Sequence, residues 1–219
     1  MGVDGFRFDL CPVLGREYNS STGNWDFNAN SPTLTEIATL AENHNAEVIA
    51  EAWDVSGYYV GEFPAGWGEW NGRYRDTIRN YINTGTNNNA TNYFNGDYDY
   101  FNDQGGSDKT VNFIVAHDGF TLADLVSYSG DGNALNSSLA WPFGPSDGGS
   151  SDTNSPVSSE EYWRRQAERN LMTFQMFSRG IPMIVYDDEL CRTQDGNNNP
   201  YNLDSVATWN NYNMINTNT

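Results

Sequence analysis

The sequence predicts an α/β protein built on a parallel sheet, and three observations predict it. Short apolar runs of strand length alternate along the chain with segments of helical periodicity. The segments linking them are long, polar and rich in Asn, Gly and Ser. Acidic residues stand at the C-terminal ends of the apolar runs, which is the end where parallel α/β folds build their active sites.

The elements follow in order. Val3 to Leu10 is predicted as a buried strand entered through Gly5, with Arg7 and Asp9 on one face and Phe6 and Phe8 on the other. The aromatic face is expected to pack outward on helices. Ser31 and Pro32 stand as N-cap and first position of a helix, with Leu34, Ile37, Leu40 and Ala41 as its stripe, ending near Asn45. Ala46 to Trp53 is a second buried strand with Glu51 near its end. Trp67 to Ile82 begins as a short strand and becomes a helix that aligns Tyr74, Ile78, Tyr81 and Ile82. Residues 83–109 are predicted as a long loop. Val111 to Asp118 is a strand, and Thr121 to Tyr128 a helix. Residues 129–158 form a second long loop, of the length that is usually functional or disordered. The longest helix spans about Ser159 to Arg179, with Ser158 and Glu161 at capping-box spacing and Gly180 as its stop. Ile181 to Asp188 is the last strand.

Composition excludes several classes. The 219 residues carry a net charge of −18, which repels the phosphates of nucleic acid and anionic membrane surfaces alike. No stretch of some twenty apolar residues is present, so no membrane span is expected. Aromatics make up 14 % of the residues and charged groups only 18 %, which suits a protein that stacks rings on a neutral ligand such as a sugar, and equally any large loop-rich fold. Cys11 and Cys191 make neither a disulfide framework nor a zinc site and are expected as buried free thiols. No segment has the ligand spacing of a calcium loop, and neither a metal nor a cofactor is expected.

The chemistry lies in the carboxylates. Asp9, Glu51, Asp118 and Asp188 all fall at predicted C-terminal strand ends. One such residue alone could cap a helix, and Arg7 with Asp9 could be a structural ion pair; several carboxylates converging on one rim point instead to catalysis. Two facing carboxyl groups are what glycosidic cleavage requires, one at the anomeric carbon and one protonating the leaving oxygen. Trp53, Trp67, Trp70 and Trp141 could stack on sugar rings or belong to the core. His44 ends a helix and is expected at the surface.

Three motifs resemble successive signature regions of the α-amylase superfamily: Gly-Phe-Arg-Phe-Asp-Leu at 5–10, Ala-Glu-Ala-Trp at 50–53 and Val-Ala-His-Asp at 115–118. The text from His117 to Leu122, from Ala140 to Gly149 and from Tyr201 to Asp204 resembles the isoamylase and glycogen-debranching branch. The resemblance implies a retaining (β/α)8-barrel (TIM-barrel) glycosidase. It implies Asp9 as the nucleophile, Arg7 as the cation that orients it, Glu51 as general acid and base, and Asp118 and His117 as binders of the sugar at the cleavage point. Trp53 and Trp141 would contact substrate, which would be a branched α-glucan such as glycogen, amylopectin or an oligosaccharide.

Two departures from that pattern are visible. The nucleophile strand is the fourth of eight in the family, and no earlier Asn-His signature stands before it here. Residues 1–219 are therefore expected to be the C-terminal part of the barrel, from the fourth strand to about the eighth, without the first three βα units or a following β-sandwich, and inactive in isolation. Asp187-Asp188-Glu189 stands where the family usually has Gly-Asp-Glu, which strains the turn if position 187 needs a positive φ. An α-1,4-acting amylase or transglycosylase is the alternative within the enzyme class. A non-catalytic glucan-binding protein is the alternative outside it.

Overall fold

The computed structural model describes residues 2–128, 159–205, 208–210 and 212. In chain order the elements are β1 (Gly5–Phe8), a 3-10 turn at Cys11–Gly15, β2 (Arg16–Asn19), β3 (Asn24–Phe27), α1 (Pro32–Asn43), β4 (Glu47–Ala50), β5 (Trp53–Asp54) and β6 (Gly57–Tyr58). They continue with β7 (Trp67–Asn71), α2 (Gly72–Thr84), α3 (Ala90–Phe94), α4 (Tyr98–Phe101), β8 (Thr110–Asn112), α5 (Leu122–Leu125), α6 (Ser159–Phe177) and β9 (Ile181–Pro182). Five strands form a sheet in the order β1-β4-β7-β8-β9, and every neighbouring pair is parallel. Spatial order thus follows chain order, as expected when each strand is followed by a connection that returns over the sheet.

Two compact units are present. One draws on Met1–Tyr74, Thr91–Asn112 and Ser178–Pro182 and contains all five strands of the sheet. Its core gathers Leu34 from α1, Val48 and Ala50 from β4, Trp67 from β7, Phe101 from α4, and Cys11, Val60 and Phe63 from the connections. Trp67 is fully buried, and its indole N–H donates to the Leu34 carbonyl at 3.0 Å, tying α1 to the sheet. Phe8 meets the Trp67 ring edge-on at 5.1 Å between centroids. Gly5 is required where β1 meets β4, because a Cβ there would lie 2.6 Å from the Glu47 carbonyl oxygen. Phe6, expected to be covered by helices, is 56 % exposed.

The other unit draws on Arg75–Ala90, Phe113–Phe177 and Met183–Thr219. Asp124 of α5 is fully buried; it accepts a hydrogen bond from the Gln194 amide at 2.7 Å and another from the Thr193 hydroxyl. Asp188 accepts one from the Leu122 amide at 3.1 Å. Asp187 adopts φ +69°, so the aspartate at the departure from Gly-Asp-Glu does occupy the left-handed region that favours glycine.

Several sequence expectations change in extent. Ser31 stands at the N-cap of α1 but makes no side-chain cap; its carbonyl instead accepts from the Thr35 amide and hydroxyl, and Leu40 is left exposed. Residues 83–109 are not plain loop, because the Asn87 side chain caps the Ala90 amide at 2.8 Å and Asp97 turns through φ +49° into α4. The strand predicted over 111–118 shrinks to Thr110–Asn112. Beyond it the carbonyl of Ile114 is taken by the Arg79 side chain at 2.8 Å instead of a strand partner. The last strand shrinks to Ile181–Pro182, where proline offers no N–H and the Met183 carbonyl accepts from Gln175. The 129–158 loop and the Ser158 cap lie outside the described residues.

Candidate active site

Adjacency of β1 and β4 builds the site. Phe8 pairs with Ala50, so the residues that follow each strand, Asp9 and Glu51, emerge side by side at the C-terminal edge. Three backbone bonds join the two exits: the Glu51 amide to the Phe8 carbonyl at 3.0 Å, the Cys11 amide to the Glu51 carbonyl at 3.1 Å, and the Leu10 amide to Glu51 Oε2 at 2.8 Å. The third depends on Leu10 standing at φ +43°, which swings its N–H toward the carboxyl group.

One guanidinium serves both carboxylates. Arg7 Nη1 donates to Asp9 Oδ1 at 2.5 Å, and Nη2 lies 2.9 Å from Glu51 Oε2 as an ion pair without hydrogen-bond alignment. The predicted common face of Arg7 and Asp9 is therefore present. The two acids differ in exposure: the Asp9 side chain is 68 % exposed and that of Glu51 only 8 %. Burial pushes the Glu51 carboxyl above the ordinary carboxylate range. The Leu10 amide and Arg7 oppose that shift, and the charge of Asp9 and its acceptance of a hydrogen bond from protonated Glu51 reinforce it.

Aromatic rings wall this cluster. Trp53 stacks on Tyr58 with ring planes 8° apart and centroids at 5.7 Å, joining the two strands of the β5–β6 hairpin. Trp70 of β7 lies 6.5 Å from Trp53, and its face covers the Arg7 guanidinium at 4.1 Å. The β2–β3 ribbon buttresses the hairpin, because Arg16 grips Asp54 with Nε at 2.9 Å and Nη2 at 2.8 Å. Trp67, by contrast, belongs to the core.

A second glutamate nearby escaped the sequence analysis. Glu69 of β7 is fully buried and accepts from the Gly61 amide at 2.7 Å and the Phe63 amide at 3.3 Å. Burial lifts its carboxyl to about 8, against the amides, Gln104 and Arg73. The signal in the sequence was a lone acid inside the apolar run Trp67–Asn71. Cys11 is buried as expected and its thiol is pushed up to about 12, first by burial and then by the charge of Glu69. Cys191 is only half-buried, with Sγ 3.7 Å from Glu168 Oε2.

The structure thus brings Arg7, Asp9, Glu51 and Trp53 together. His117 and Asp118 belong to the other unit; they pair at 3.4 Å, both exposed, six residues or fewer past the end of β8 rather than on it. Asp188 is likewise beyond its strand, in a 3-10 turn, where burial raises its carboxyl to about 6. Trp141 lies outside the described residues. Among the described residues no group of three or more His, Cys, Asp or Glu side chains could hold a metal ion, and no helix is long and apolar enough to cross a membrane. A groove of about 480 Å³ opens at the opposite, N-terminal ends of β4 and β8, between Thr39, Glu47 and Lys109, away from the carboxylate cluster.

A parallel βα sheet with paired acids at adjacent C-terminal strand ends defines the class: an α/β protein with two carboxylates on one guanidinium at the edge where parallel sheets build their sites. Within it, the chain is similar over most of its length to proteins named isoamylase and glycogen debranching enzyme. It is 43 % identical to an isoamylase of Flavobacterium over 227 residues, covering 95 % of this chain and 28 % of that protein. It is 36 % identical to a glycogen operon protein GlgX homolog of Mycobacterium tuberculosis, covering 100 % of this chain and 30 % of that one. The chain therefore spans about 30 % of the length of the curated relatives it matches. Among solved structures, a pullulanase of Anoxybacillus aligns over 98 % of this chain and 28 % of its own at a TM-score of 0.64 and 20 % identity. A pullulanase from Bacillus acidopullulyticus aligns over 91 % of this chain and 22 % of its own at 0.56 and 23 %. Both share the α/β fold. No protein-family model matches the chain.

Proposed function

We propose that the chain carries the catalytic core of a retaining glycoside hydrolase that cleaves α-1,6 branch points of glycogen- or amylopectin-type glucans. Its five parallel strands are then the fourth to eighth of a (β/α)8 barrel, and residues 1–219 form one C-terminal part of the catalytic domain. The observation that carries this reading is a single guanidinium, Arg7, shared by two carboxylates that leave adjacent parallel strands. The names of its relatives support the choice of linkage.

In this mechanism Asp9 attacks the anomeric carbon of the branch as Glu51 donates its proton to the leaving glycosidic oxygen, so the branch is held as a glycosyl–Asp9 ester and the main chain departs as an alcohol through its 6-hydroxyl. Glu51, now ionised, takes a proton from water, and the water oxygen displaces Asp9 with overall retention. Burial suits Glu51 to the first step by keeping its proton into a higher pH range, and Arg7 suits Asp9 to it by stabilising the attacking anion. Asp118 and His117 bind the hydroxyls of the reacting sugar, while Trp53 and Trp141 stack on neighbouring rings.

The test is a hybrid. Residues 1–219 replace their counterpart in the Flavobacterium isoamylase, and reducing ends released from amylopectin and glycogen are measured. The hybrid is expected to debranch, its Asp9→Asn variant is expected not to, and the isolated chain is expected to release nothing. A hybrid whose activity survives Asp9→Asn removes the reading.

A further inference from the structure

We propose that Trp70 is a positioning residue: its indole face fixes the plane of the Arg7 guanidinium so that one Nη edge is committed to Asp9 and the other to Glu51. The inference rests on the function proposed above for those two acids, but its first measurement does not depend on activity.

A guanidinium on a flexible stem has a better local option than the one it takes here. Bidentate pairing with one carboxylate satisfies both Nη groups in line and is the stronger geometry. Arg7 instead divides itself, at 2.5 Å from Asp9 and 2.9 Å from Glu51, and the second contact lacks hydrogen-bond alignment. Something other than the carboxylates must hold the plane. The indole of Trp70 meets the guanidinium carbon at 4.1 Å, a cation–π contact that restrains tilt while leaving both Nη edges free to face acids.

The placement is built across three strands. Sheet order is β1-β4-β7, so Trp70 reaches over β4 to touch a residue of β1. Gly68 shares its face of β7 and presents no side chain there, opposite Ile49 of β4. Trp53 closes on Trp70 at 6.5 Å with planes at 50°, and Trp53 is itself stacked on Tyr58. The groups facing Glu51 are Arg7 and Asp9 from β1 and the turn after it, with the Cys11 thiol beside them. Arg7 is the one cation among them, so its orientation has a direct electrostatic consequence for Glu51.

The 219-residue chain is compared as wild type, Trp70→Phe and Trp70→Leu, with the Glu51 carboxyl carbon followed by NMR against pH. Trp70→Leu keeps an apolar side chain and removes the ring face. It is expected to raise the Glu51 midpoint and to average the Arg7 Nη proton signals that stacking keeps distinct. Trp70→Phe, which retains a face, is expected to stay close to wild type on both. An unchanged midpoint and unchanged Nη signals in Trp70→Leu overturn the proposal, whatever the melting temperature does, because that is what a packing residue gives. Should Trp70→Leu fail to fold, Trp70→Phe against Trp70→His decides: the smaller, more polar ring must move the Glu51 midpoint further than phenylalanine does, and equal midpoints overturn the proposal. In the hybrid isoamylase, Trp70→Leu is expected to lower kcat by about tenfold with KM little changed. A ring that merely stacks on sugar would raise KM instead. Lack of hydrolysis by the unsubstituted hybrid would count against the glycosidase reading and leave the titration result standing.

Discussion

Glu51, just past the end of β4, and Glu69, inside the neighbouring strand β7, are two glutamates that the fold treats in opposite ways. Both are buried, and burial raises both carboxyl groups. Glu51 ends at an edge where a guanidinium, a backbone amide and a second carboxylate meet it. Glu69 points into the core, where the Gly61 and Phe63 amides hold it and its carboxyl reaches about 8. Burial alone therefore does not mark a catalytic acid here. A balance of opposed local influences separates Glu51, proposed above to give and retake a proton, from Glu69, which holds a loop in place.

Substitutions can break that contrast. In the hybrid isoamylase, Glu51→Gln is expected to cost about 10²–10⁴-fold in kcat/KM, the usual contribution of a general acid. Glu69→Gln, tested on the same substrate, is expected to leave most of the rate; equal losses would erase the distinction. For stability the order reverses. Glu69→Ala strands two buried amides beside a cavity and is expected to cost about 3 kcal/mol in urea unfolding. Glu69→Gln instead changes the pH profile. A folded carboxyl near 8 against 4.5 unfolded means the native state holds the extra proton between those values. Stability is then full below about 4.5 and falls as pH rises toward 8, and Glu69→Gln should flatten that fall.

The Arg16–Asp54 pair sharpens the comparison from another side, because it is ion-paired like Glu51 yet only holds the β5–β6 hairpin. Arg16→Ala is expected to cost about 1 kcal/mol and to weaken the near-UV circular dichroism of the Trp53–Tyr58 stack. The smallest effect is expected from Asp187→Gly in the other unit. Relief of the left-handed strain, partly offset by a freer unfolded chain, should stabilise the protein by about 0.5 kcal/mol.

How much of this could be read in the sequence depends on the range of the interaction. Arg7, Asp9 and Glu51 were legible because strand periodicity and strand ends are local properties, and the structure delivers them to one place. The left-handed turn at Asp187 was legible as a misplaced aspartate. The β2–β3 ribbon and the short helices in 83–109 were not, since they depend on asparagine side chains capping particular amides. Strand lengths were overestimated because Arg79 and Gln175 take carbonyls that apolar periodicity assigns to a neighbouring strand. Nor could Glu69 or the Trp70–Arg7 contact be found, for each depends on which residue stands opposite across the sheet.

Leu10 carries one further consequence. The residue is 38 % exposed, while its backbone, at φ +43°, is what presents an amide to Glu51. The position is therefore constrained by the shape its main chain must take and hardly by the chemistry of its side chain. Glycine or asparagine could serve there as well as leucine, whereas valine or isoleucine, equally apolar, would pull the turn straight and cost the Glu51 carboxyl its amide partner. Variation at residue 10 should follow turn propensity, not hydrophobicity.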